Sequence, residues 1–161
     1  ESRFTFWGTG GAARACGVYF ASAGAKEINL VNRTVSKAEK LAEDILKANS
    51  SCTVNCLGLD EHSAIQSAFN ASDVIIQSTS IGLHADDECS IPLGFMDKGM
   101  NIFEMIYRPT LLLSEAEKMG CNVIDGKGML LYQGVKSFSI WNGIENSPVD
   151  AMREGLRQAL L

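Results

Sequence analysis

Apolar residues fall along this chain in two alternating textures: short continuous runs, and longer stretches in which they recur every three or four positions. The runs predict β-strands and the stretches predict helices. Strands are expected at Phe4 to Trp7, Ile28 to Val31, Thr53 to Leu57, Val74 to Ile76, Ile102 to Met105 and Asn122 to Ile124. Helical patterns cover Ala12 to Ala23, Ala64 to Phe69, Leu111 to Met119, Met129 to Trp141 and Asp150 to Leu160. A further helix should open at Ser36-Lys37-Ala38-Glu39, which has capping-box form, and bury Ala38, Leu41, Ala42, Ile45 and Leu46 as a stripe. Residues 82–94 read as an irregular loop carrying Asp86, Asp87 and Glu88. Strand and helix alternate throughout, which implies βαβ units. The fold class is α/β: one doubly wound, mainly parallel six-stranded sheet with helices on both faces.

The turn after the first strand narrows this. Gly8-Thr9-Gly10-Gly11-Ala12-Ala13 has the form G-x-G-x-x-A between a strand and a helix. Gly8 permits the tight turn, Gly10 lets backbone approach a pyrophosphate, and Ala13 keeps the helix close to the sheet. Free N–H groups at the helix start attract phosphates. The reading is a Rossmann-like dinucleotide site. In NAD-selective sites a carboxylate near the end of the second strand accepts from the ribose 2′-hydroxyl. Here Asn32-Arg33-Thr34-Val35-Ser36-Lys37 holds none, and Arg33 and Lys37 suit a 2′-phosphate instead. The expected cofactor is NADP.

Composition removes other classes. The 161 residues are 46% hydrophobic and 20% charged with a net charge of −5, a globular balance that argues against nucleic-acid and membrane-surface partners. No apolar run approaches the roughly 18 residues needed to cross a bilayer, and no signal-peptide pattern opens the chain. Five cysteines (Cys16, Cys52, Cys56, Cys89, Cys121) form neither a disulfide framework nor a metal set, so a cytoplasmic location is expected. His62 and His84 lack ligand spacing, and no metal is expected. Phe4, Phe6, Trp7, Tyr19, Phe20, Phe138 and Trp141 read as packing residues.

Gly8 to Ala15, followed by Asn32-Arg33-Thr34 and Lys37-Ala38, resembles the shikimate dehydrogenase family. So does Asp125-Gly126-Lys127-Gly128-Met129-Leu130-Leu131-Tyr132-Gln133, with Phe138, Trp141 and Gly143 behind it, and Thr79-Ser80-Ile81-Gly82 and Tyr107-Arg108-Pro109 fall between in the family's order. The resemblance implies reduction of 3-dehydroshikimate to shikimate by NADPH, in the route to aromatic amino acids. It implies cofactor contacts from Gly8, Thr9, Gly10, Gly11, Ala12, Asn32, Arg33, Thr34, Lys37, Thr79, Met105, Gly126 and Met129, and substrate contacts from Tyr107 and Gln133.

The family's catalytic Lys and Asp belong to an N-terminal substrate domain that has no counterpart in residues 1–161. No catalytic residue is therefore expected in this chain, which should bind cofactor without turnover. Asp125 and Lys127 are the nearest candidates for a proton donor, but Asp-Gly is first a turn signal. Departures from the family's pattern are Gln77 for Asn, Glu104 for Asp, Lys127 for an apolar residue, and a short segment from Pro109 to Leu112. Alternatives are a dehydrogenase of other preference, such as one for quinate, or a non-catalytic NADP-binding module.

Overall fold

A computed structural model describes residues 2–84 and 86–160; Ala85, within the predicted acidic loop, lies outside the described residues. The strands are β1 (Arg3–Trp7), β2 (Glu27–Val31), β3 (Thr53–Leu57), β4 (Val74–Gln77), β5 (Asn101–Glu104) and β6 (Asn122–Ile124). The α-helices are α1 (Gly11–Ser22), α2 (Val35–Ala48), α3 (His62–Ala71), α4 (Leu111–Lys118), α5 (Lys127–Asn142) and α6 (Val149–Ala159). The six strands form one sheet in the order β3-β2-β1-β4-β5-β6, and every pairing is parallel. This is the doubly wound dinucleotide-fold order, with its reversal between β1 and β4.

Side chains alternate across a strand, so each strand feeds two cores. Phe6, Ile28, Leu30 and Ile76 pack on one face with Ala13 and Ala21 of α1 and Leu41 and Ile45 of α2. Trp7, Val31, Ile75 and Ile102 pack on the other with Ile65 and Phe69 of α3 and Leu112 and Ala116 of α4. Gly17 lets α1 approach α2: a Cβ there would lie 3.1 Å from Ile45 Cδ1. A polar thread runs along the second face, where Asn55 donates to Asn29 at 2.8 Å, Asn29 to Thr5 at 3.3 Å, and the Thr5 and Ser72 hydroxyls meet at 2.7 Å.

Four expectations are corrected. Helix α2 begins at Val35 with Thr34 as its cap, and no side chain caps it, so Ser36 and Glu39 form no capping box. Leu46 falls beside the apolar stripe and is 41% exposed. Tyr19 and Trp141 are 68% and 81% exposed, because α1 turns Tyr19 away from the sheet and α5 packs mainly on α6. No helix among the described residues is long and apolar enough to cross a membrane.

Candidate functional site

Chains leaving β1 and β4 turn to opposite sides, and the gap between them opens a crevice at the strands' carboxyl ends. A cleft of about 700 Å³ lies there. Its walls are the turn after β1 (Gly8, Thr9, Gly10, Ala12), the end of β2 (Asn32, Arg33), the turn after β4 (Ser78 to Ile81) and the segment after β5 (Met105 to Tyr107).

Gly8 sits at φ +101°, and a Cβ there would stand 2.7 Å from Thr79 Cγ2. The β1 turn and the β4 turn touch because this residue has no side chain. Ser78 reinforces the contact, its hydroxyl within 3.1 Å of Trp7 O and 3.0 Å of Gly8 O. Gly10 caps α1, and the first helical bond runs from Arg14 N to Gly10 O. The N–H groups ahead of it therefore point unpaired into the crevice. Thr9 Oγ1 is buried beside them without a hydrogen-bond partner among the described residues. A buried hydroxyl without a partner next to free N–H groups is a cradle for an oxyanion.

At the end of β2, Asn32 donates from Nδ2 to Thr34 O at 2.9 Å, shaping the turn before α2. Arg33 and Lys37 are exposed, and neither forms an ion pair among the described residues. Arg14, by contrast, is engaged by Asp44 at 2.9 Å.

The opposite end rests on two polar residues that the sequence marked only as departures from the family's pattern. Gln77 and Glu104 are fully buried register partners at the last positions of β4 and β5. Gln77 accepts from Thr79 N through Oε1 and donates from Nε2 to Ile81 O at 2.9 Å. Glu104 accepts from Ile106 N at 3.1 Å and from the Thr110 hydroxyl at 3.2 Å. Burial pushes the Glu104 carboxyl up to about 7, against the opposing pull of its bonds to Ile106, Thr110 and Gln77. Beyond them Tyr107 is half-buried, with the Arg108 guanidinium 5.4 Å from its ring centroid. Asp87 closes the loop beside Ile81 and Leu83; His84 N and then Gly82 N hold its carboxyl below the usual range.

The cleft thus gathers Gly8, Thr9, Gly10, Ala12, Asn32, Arg33, Thr79, Met105 and Tyr107 of the sequence candidates. Gly11, Thr34, Lys37, Gly126, Met129 and Gln133 lie outside its lining. Gly126 is nonetheless forced against it: its N donates to Ile106 O at 3.0 Å, and a Cβ would overlap the Met105 carbonyl. Gln133 is exposed on α5. Asp125 binds Lys127 Nζ at 2.8 Å and accepts from Lys127 N at 3.0 Å, which is the work of a turn. Among the described residues no group of three or more His, Cys, Asp or Glu could hold a metal ion.

Comparison with known proteins gives consistent matches. Residues 1–87 match the family model described as shikimate/quinate 5-dehydrogenase, and residues 126–157 the shikimate 5′-dehydrogenase C-terminal domain. The shikimate dehydrogenase (NADP(+)) of Methanothermobacter thermautotrophicus is 37% identical over 161 residues, covering 95% of this chain and 54% of that protein. A shikimate 5-dehydrogenase from Listeria monocytogenes, solved with shikimate and NAD, superposes with a TM-score of 0.85 at 29% identity, over 96% of this chain and 55% of that one. A shikimate dehydrogenase solved with NADP+ gives 0.83 at 31% identity, over 100% and 55%. The chain spans about half the length of the curated relatives it matches.

Proposed function

We propose, from the premise that this chain belongs to the shikimate/quinate 5-dehydrogenase family, that residues 1–161 are the NADP-binding domain of a shikimate dehydrogenase. The whole protein would interconvert 3-dehydroshikimate and shikimate with NADPH and NADP. The observation that carries the cofactor is the β1 turn: unpaired helix-start N–H groups, the partnerless Thr9 hydroxyl, and unpaired Arg33 and Lys37 one strand away. Gly8, Thr9, Gly10, Gly11 and Ala12 would hold the pyrophosphate. Asn32, Arg33, Thr34 and Lys37 would hold the 2′-phosphorylated adenosine. Thr79, Met105, Gly126 and Met129 would flank the nicotinamide, which when bound supplies or accepts the hydride.

Tyr107 and Gln133 would reach the substrate; an amide can both donate to and accept from ring hydroxyls. Reduction of a ketone also needs a proton at the carbonyl oxygen. Asp125 and Lys127 are tied to each other in the turn before α5, so the donor is assigned to a substrate domain outside these residues. Two facts support that domain. The relatives are nearly twice as long, and Tyr132, Ile140 and Trp141 leave α5 with the exposed apolar surface a second domain would cover. A cytoplasmic location fits this reading, since none of the five cysteines is paired.

Titrating the purified chain with NADPH and with NADH tests the assignment. NADPH should bind more tightly; equal or weaker binding than NADH removes the NADP reading. Oxidation of shikimate by the 161-residue chain alone would remove the assignment of catalysis to another domain.

A further inference from the structure

We propose that Gln77 and Glu104 form a positioning pair that sets the spacing of the two walls at the nicotinamide end of the cleft. The inference rests on the NADP reading above and deepens it.

Each residue closes the turn that follows its own strand. Gln77 uses both ends of its amide on the β4 turn, accepting from the Thr79 N–H and donating from Nε2 to Ile81 O. Glu104 uses both oxygens on the β5 segment, taking the Ile106 N–H and the Thr110 hydroxyl. Thr110 in turn accepts from Leu113 N at 3.3 Å and caps α4. The walls carrying Thr79 and Met105 are therefore each built on one buried polar side chain.

The two devices are also one. Gln77 and Glu104 are directly opposed in the parallel register, Met105 N donates to Gln77 O at 3.1 Å, and the Gln77 side chain lies near enough to the Glu104 carboxyl to pull against its rise in pKa. The walls meet again above the pair, where a Cβ on Gly82 would lie 3.1 Å from both Ile106 Cδ1 and Thr110 Cγ2. Neither side chain exposes any surface, so each fixes the shape of the cleft without contacting a ligand. Loss of either leaves its partners unpaired on the wall that it builds. Nothing in the arrangement reaches Arg33 or the β2 turn, so its effect should be confined to one end of the dinucleotide.

The experiment compares NADPH with 2′,5′-ADP, which carries the adenosine end and its 2′-phosphate but no nicotinamide. Both are titrated against the unmodified chain, Gln77→Leu, Glu104→Leu and Glu104→Gln, with NADPH binding read from the emission of its reduced ring. Expected is a loss of NADPH affinity of about ten-fold or more in each leucine variant, 2′,5′-ADP affinity held within about two-fold, and recovery of NADPH affinity in Glu104→Gln, which keeps the shape and an acceptor. If a leucine variant fails to fold by circular dichroism, the same comparison is made with Gln77→Asn, which keeps the amide but shortens its reach. Equal losses for both ligands, or unchanged NADPH affinity, overturn the pair. An unmodified chain that binds neither ligand overturns the NADP reading and the pair with it; one that binds 2′,5′-ADP while the split fails overturns the pair alone.

Discussion

Gln77 and Glu104 face each other at the carboxyl ends of β4 and β5, and the pair lies entirely beneath the floor of the cleft. In the sequence they stand as two separate departures from the family's pattern, each longer by one methylene than the Asn and Asp expected. In the fold they are a matched change at one contact. Their register puts a carboxyl whose pKa burial raises to about 7 at the carboxyl ends of β4 and β5.

That carboxyl makes stability depend on pH. Folding raises the Glu104 pKa from its usual 4.5 to about 7, so the folded state holds the proton more tightly than the unfolded chain. The contribution is fully present below about pH 4.5 and is lost as pH rises through 7. Between pH 5 and 8 the loss should be on the order of 2–3 kcal/mol. Urea midpoints measured across that range should fall for the unmodified chain and flatten in Glu104→Gln. The facing groups that could blur the curve are few: Cys89 couples weakly to Glu104 and is itself pushed up by burial. Parallel slopes in the two proteins would remove the assignment.

Gly126 tests the other side of the same wall. Its backbone is unremarkable in φ, so the requirement is space alone: any Cβ would overlap the Met105 carbonyl. Gly126→Ala should separate the start of α5 from the β5 segment, lowering stability by roughly 1–3 kcal/mol as overpacking does. NADPH affinity should fall further than 2′,5′-ADP affinity. An alanine variant with unchanged melting temperature and unchanged NADPH binding would remove this contact from the account of the wall.

Much of this was legible in the chain. The strands announced themselves because a parallel sheet covered on both faces needs continuous apolar runs, and Phe6, Ile28 and Ile75 provide them. The β1 turn was legible because the backbone conformation at Gly8 and the approach of Thr79 leave no other residue type. Other features depend on partners that periodicity does not describe. Leu46 stands four residues after Ala42, yet it falls at the edge of the stripe and stays 41% exposed. Trp141 reads as a core residue, yet α5 offers it nothing to pack on. Gln77 and Glu104 lie 27 residues apart, and only the register of β4 on β5 brings them together.

The polar thread from exposed Asn55 to buried Asn29 and Thr5 is also a matter of register, since all three are aligned across β3, β2 and β1. A slip by one residue would leave these amides against apolar neighbours, so the thread penalises the wrong pairing. Asn29→Leu removes the central member and its two bonds, while Thr5 keeps Ser72 and the Ala68 carbonyl and the exposed Asn55 keeps Glu27. The cost, read from the urea midpoint, should be about 1 kcal/mol. No loss in the single variant would mean the thread carries no weight.

Arg33 gives the sharpest test of cofactor choice, because the fold isolates it. It lines the cleft at the end of β2, and it forms no ion pair among the described residues, so its removal leaves no carboxylate unmatched. Arg33→Ala should therefore leave melting temperature almost unchanged. Loss of a charge-assisted contact to a 2′-phosphate should weaken NADPH roughly ten-fold or more, while NADH, which lacks that phosphate, changes little. The effect should shrink as salt rises, since the contact is exposed. Arg33→Lys should recover only part of the affinity, because an ammonium cannot make the paired bonds of a guanidinium. Equal weakening of NADPH and NADH would show that Arg33 shapes the turn and does not read the phosphate.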